Sequence, residues 1–125
     1  MKAILNSIIL FVGDTNKLKE FYSTIFGFEV LEEIPGQWVL LNAGACTIGL
    51  HKVGKAYEPA PGVLFKAESN TKTVFELEAD IAGMREVLLK ANISIGDIKS
   101  YDNYDYLLCD GEDPEGNVFQ LKQRK

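Results

Sequence analysis

Imidazole and thiolate are scarce in this sequence: there is one histidine, His51, and two cysteines, Cys46 and Cys109, far apart and outside any CxxC or Cys/His cluster. Such spacing suggests neither a zinc site nor a disulfide framework. It fits two buried thiols in a reducing compartment, and hence a cytoplasmic protein. Clustered basic charge is scarce as well. The formal net charge is -5, and the one basic run, KQRK at 122–125, reads as a solvated tail. Nucleic acid is therefore not an expected partner. No apolar run approaches the roughly 20 residues of a membrane span, so a membrane is not expected either. The apolar stretch MKAILNSIILFVGD is broken by Asn6 and Ser7 and has no small-residue cleavage site after it, which makes it a first strand and not a signal peptide. Phosphate loops, nucleophile elbows and dinucleotide fingerprints are absent, and the small residues of NAGACTIG do not open a helix. No nucleotide cofactor is expected.

The 125 residues, 46% hydrophobic and 25% charged, suffice for a single globular domain. SIILFVGD is apolar throughout, as a central strand buried on both faces would be, and it ends at Asp14, a good helix N-cap. TNKLKEFYSTIFGF then puts Leu18, Phe21, Tyr22 and Ile25 at helical spacing, with Gly27 where a left-handed residue would end the helix. FEVLEEI, QWVLLNA and CTIGLHKV read as three strands separated by turn residues. GKAYEPAPG, with its two prolines and two glycines, reads as a linker, with a lid over a site as the alternative.

The pattern then begins again. TVFELEAD is a strand ending at Asp80, and IAGMREVLLKAN carries Ile81, Met84, Leu88 and Ala91 on one helical face. Asn92 stands where Gly27 stood, because Asn tolerates the left-handed region better than most residues. ISIGDIKSY, YDYLLCD and NVFQLKQ complete three more strands. The fold class is therefore α+β: two β-α-β-β-β modules, one at about 1–54 and one at about 71–125, joined by a loop at about 55–70.

VGDTNKLKEFYSTIFGF and DPEGNVFQL together resemble the vicinal oxygen chelate superfamily, which includes glyoxalase I, extradiol dioxygenases and bleomycin-resistance proteins. The resemblance implies a curled mixed sheet around a cleft in which ligands bind. In metal-dependent members four strands bring His and Glu side chains to an ion with open positions for substrate oxygens. Carried onto this chain, those four positions are Ser7, Gly49, Lys72 or Thr73, and Gln120. None carries a residue a first-row metal favours, so no metal and no other cofactor is expected.

What remains is a cleft organised by packing and hydrogen bonds. Ser7, Ile9 and Phe11 share one strand face, with Ile8, Leu10 and Val12 turned to the helix. Trp38 and Tyr106 extend an apolar lining, and Gly49, His51, Thr73 and Gln120 join it as candidate ligand contacts. The acidic pairs at 32–33 and 112–115 read as a solvated strand end and a turn. The sequence thus favours a metal-free protein that binds a small organic molecule, and the resemblance implies a homodimer. The alternative is a lyase, isomerase or dioxygenase of the same superfamily with a displaced metal site, or with His51 and Glu76 as acid and base. A purely structural interaction module is disfavoured, because the fold normally presents a cleft.

Overall fold

A computed structural model describes all residues, 1–125, and the chain divides into two compact units, Met1–Ala67 and Glu68–Lys125. Each is a β-α-β-β-β module. The first contains β1 (Ser7–Val12), α1 (Thr15–Ile25), β2 (Glu29–Ile34), β3 (Trp38–Asn42) and β4 (Thr47–Lys52). Its sheet runs β1-β4-β3-β2, with β1 parallel to β4 and the other pairs antiparallel. Asp14 caps α1 by accepting from the Lys17 N–H at 3.0 Å. The helix buries Leu18, Phe21 and Tyr22 on the sheet face that carries Val12, Val39, Leu41, Ile48 and Leu50. Each such side chain stabilises the fold by roughly 1.5–3 kcal/mol on full burial.

The second unit contains β5 (Lys72–Leu77), α2 (Ile81–Lys90), β6 (Lys99–Ser100), β7 (Tyr106–Glu112) and β8 (Val118–Arg124), with its sheet in the order β5-β8-β7-β6. Asp80 repeats the cap of Asp14, accepting from the Gly83 N–H at 2.9 Å. The Gln123 side chain takes the Ile81 N–H at 2.6 Å, which ties the start of α2 to β8. Gly27 and Asn92 both adopt positive φ, 69° and 59°, so each module follows its helix with a left-handed residue.

Three departures from sequence expectation concern the fold itself. β1 is not a central strand buried on both faces: it lies at the edge of its sheet's ladder, and Ile9 and Phe11 are 48% and 59% exposed. The stretch 93–101 is strand only at Lys99–Ser100, with an isolated bridge between Ile95 and Gly111. The Gly96 carbonyl there accepts from Arg85 Nε and from Cys109 Sγ while its N–H bonds the Asp110 carbonyl, so a regular ladder cannot form through it. Of the two thiols, both free, only Cys109 is buried; burial pushes its pKa up and keeps it protonated.

The left-handed Asn92 gives a direct check. Asn92→Val is expected to cost about 1–2 kcal/mol, the penalty for a β-branched residue in a region that Asn tolerates, whereas Asn92→Gly keeps the urea midpoint at or near wild type.

Candidate functional site

The open face of the first sheet follows from strand alternation and register. Three rows run across β1, β4 and β3: Ser7, Thr47 and Asn42, then Ile9, Gly49 and Leu40, then Phe11, His51 and Trp38. The face thus grades from polar through aliphatic to aromatic. In the polar row the Ser7 and Thr47 hydroxyls hydrogen-bond each other, and Ser7 Oγ donates to Asn6 Oδ1 at 2.8 Å. In the aromatic row the Phe11 and His51 ring centres are 5.5 Å apart and those of Trp38 and His51 6.0 Å, tilted or edge-on. Trp38 Nε1 points to Glu32 Oε1 at 3.4 Å on β2. His51 Nδ1 lies 2.8 Å from the Lys52 carbonyl. A carbonyl can only accept, so Nδ1 carries the proton, and in the neutral ring Nε2 is left as a lone-pair acceptor.

Beside the aromatic row is a cavity of about 490 Å³, walled by Phe11, His51, Val53, Tyr57 and Phe65. Tyr57 comes from the segment that reads as a linker by composition and Phe65 from just beyond it, and together they form a wall of the cavity. Lys52 holds that wall's start: Nζ donates to the Gly13 carbonyl at 2.6 Å and lies 3.6 Å from Glu58 Oε1.

In the second unit the open face carries Lys72, Val74 and Glu76 on β5, Gln120 and Lys122 on β8, and Tyr106, Leu108 and Asp110 on β7. Thr73 does not belong to it. Thr73 is buried and pairs with Phe119 on the opposite, core face, so the open-face residue is Lys72. Gln120 Nε2 donates to Asp110 Oδ1 at 2.9 Å and Lys72 Nζ to Asp110 Oδ2 at 2.8 Å. Burial pushes the Asp110 carboxyl up, but the bonds from Lys72 and Gln120 outweigh it and hold the group below its ordinary value. Tyr106 sits under cations: Lys122 Nζ is 4.1 Å from the ring centre, and Arg124 donates to its hydroxyl at 3.2 Å. Glu76 is level with Lys122 in the β5–β8 register. His51 and Glu76 belong to different units, so neither unit by itself builds the acid–base pair.

The family model of the Glyoxalase/Bleomycin resistance protein/Dioxygenase superfamily matches residues 4–121. The chain belongs to that superfamily. Among solved structures, it is similar to the genomically encoded fosfomycin resistance protein FosX of Listeria monocytogenes, with a TM-score of 0.78, 15% identity and coverage of 100% of this chain and 96% of that one. Lactoylglutathione lyase from Agrobacterium tumefaciens gives 0.74, 17%, and 98% and 94%. TnmS3, an antibiotic-binding protein from a Streptomyces species, gives 0.73, 19%, and 99% and 98%. At these identities the likeness is one of fold.

The metal of some glyoxalase-superfamily members does not fit the residues present. Gly49 offers no donor, and the Trp38 indole occupies the space beside it: a Cβ added at Gly49 would come within 2.8 Å of the ring's Cζ3. The Ser7 hydroxyl is engaged by Thr47 and Asn6, the Lys72 ammonium has no lone pair, and Gln120 turns its N–H groups to Asp110. No group of three or more His, Cys, Asp or Glu side chains is placed to hold an ion.

Sequence reasoning missed Asp110, Tyr57 and Phe65. The one available signal for Asp110 was its alternation with Leu108 and Tyr106 on β7. Of the acidic pairs, Glu33 bonds Lys19 at 2.9 Å. Asp113 and Glu115 form a turn as expected but are buried, with Asp113 accepting from the Glu115 and Asn117 backbones.

Gly49→Ala should cost about 1–3 kcal/mol by overpacking against Trp38. In a Trp38→Ala background most of that cost should vanish, a coupling readable by a double-mutant cycle in urea. A second expectation concerns Asp110. Its depressed pKa means the Lys72 pair stabilises the fold above the unfolded carboxylate value of about 3.9 and ceases to as pH falls through the folded value. Both side chains are largely solvated, so Lys72→Met is expected to cost less than about 1 kcal/mol near neutral pH. The difference should fade in acid.

Proposed function

We propose that this chain binds a small organic molecule with an aromatic body in the first unit, without a metal. The observation that carries this reading is the Phe11–His51–Trp38 row beside a cavity walled by Tyr57 and Phe65. A concave, mostly apolar cavity of this size with few polar groups is the ordinary form of a small-molecule site. Ring faces and edges at this spacing suit a planar guest. His51 Nε2 would accept a hydrogen bond from the ligand and orient it. The antibiotic-binding and fosfomycin-resistance roles that the names of two structural neighbours carry are compatible with sequestration, and they identify no ligand here.

A second reading, catalysis by a lyase, isomerase or dioxygenase, draws on the same imidazole. With Nδ1 held by the Lys52 carbonyl, Nε2 is the atom that would take a proton, and Glu76 would be the second group. In either reading we place the protein in the cytoplasm, supported by two free cysteines; no helix is long and apolar enough to cross a membrane. We further propose a homodimer. Its support is the number of large apolar side chains left exposed outside the cavity lining, Ile4 and Leu5 before β1, Ile34 on β2, and Val63 and Leu64 in the loop. Light scattering should give twice the chain mass.

Trp38 is the only tryptophan, so its emission reports on this face alone. Titration with a panel of aromatic small molecules should change the emission saturably for some members, with chelator present or absent. Phe11→Ala should weaken those members by about tenfold, equivalent to 1.4 kcal/mol. A panel without effect, or affinities indifferent to Phe11→Ala and His51→Ala, would refute the site. Turnover of a bound member that is lost in His51→Ala would move the second reading to first place.

A further inference from the structure

The second unit has a cavity of its own, about 280 Å³, lined by Lys72, Asp97, Lys99, Tyr101, Leu108, Asp110 and Gln120 among others. Its lining carries two ammonium and two carboxylate groups, but these do not pair one to one. Asp110 is matched by Lys72 at 2.8 Å, and Asp97 faces Arg85 at 3.4 Å. Lys99, level with Leu108 across the β6–β7 pair, makes no ion pair. With Arg85 pairing Asp97 from outside the lining, Lys99 is the lining charge left without an ion-pair partner beside a partly apolar hollow.

The arrangement also fixes one of those cations in advance. Asp110 receives Lys72 on one oxygen and Gln120 on the other, so both of its oxygens are engaged. The Lys72 ammonium is held with only one of its three N–H groups used by Asp110. A lysine held in this way has already lost much of the rotamer freedom that ligand binding would otherwise remove.

We propose that this cavity is an anion subsite, separate from the aromatic site, that takes a small organic carboxylate. The carboxylate lies between the Lys99 ammonium and the free N–H groups of Lys72, with its hydrocarbon part on Leu108 and Tyr101. Charge sets the sign of the ligand. The volume, just under the roughly 300–1,000 Å³ usual for drug-sized ligands, sets its size.

The test uses the full chain labelled with nitrogen-15, titrated with butyrate and, separately, with its neutral counterpart butyramide. Aliphatic probes avoid the aromatic site, whose occupancy the Trp38 indole signal would report. Butyrate is expected to shift the amides of Gly96, Leu108 and Asp110 saturably, in the millimolar range typical of a small single-anchor ligand, and butyramide is not. Lys99→Met, which removes no ion pair and so leaves the fold intact, should weaken butyrate at least fivefold, as should Lys72→Met. Equal responses to butyrate and butyramide, no saturable shift, or an affinity unchanged in Lys99→Met would each overturn the proposal. All three readouts stand whether or not the Trp38 site binds an aromatic ligand.

Discussion

The parallel pairing of β1 with β4 determines what the first unit can do. It sets Ile9 level with Gly49 and Phe11 level with His51, while the antiparallel β3 sets Trp38 level with His51. Because side chains alternate with a period of two, a slip of one residue would send this set into the helix-facing core and bring Ile8, Leu10 and Val12 out. Burial of Val12, Leu50 and Leu41 beneath α1 therefore holds the aromatic row in place. The same register places Gly49 under the Trp38 ring. The residue that lacks a side chain is the one that lets the indole approach the sheet.

The second unit repeats the scaffold and changes the chemistry. Its strand order matches the first, its helix starts on an aspartate cap and ends on a left-handed residue. Its open face, however, is built of charge pairs and cation–ring contacts: Lys72 with Asp110, and Lys122 over Tyr106. Gln120 answers to this environment. An amide can donate to Asp110, whereas a carboxylate in the same place would set two like charges against each other.

Much of this was legible in the residues because it rests on local rules. The two modules, the caps Asp14 and Asp80, the left-handed Gly27 and Asn92, and the shared face of Ser7, Ile9 and Phe11 follow from period and capping alone. What escaped depends on partners distant in sequence. An apolar face of β1 reads the same whether it is buried or open, so the exposure of Ile9 and Phe11 was invisible. The choice of Lys72 over Thr73 required the β5–β8 register, and the Lys72–Asp110 pair joins residues 38 apart. Proline and glycine in 54–62 signalled a loop, but not that Tyr57 within it and Phe65 beyond it wall a cavity. The strand expected over 93–101 failed because Gly96 and its neighbours bond side chains and isolated backbone groups in place of a ladder.

In the proposed reading, this member of the superfamily organises its site with packing and fixed protein charges in place of a divalent ion. Metal analysis by plasma mass spectrometry on tag-free protein purified without chelator, paired with thermal shift against Zn, Ni, Mn and Fe(II), tests that claim most directly. Metal well below one equivalent per chain and no stabilisation by any of the four ions are the predicted results. Near-stoichiometric metal, or a saturable rise in melting temperature with one ion, would contradict the claim and would mean that donors other than Ser7, Gly49, Lys72 and Gln120 form a site.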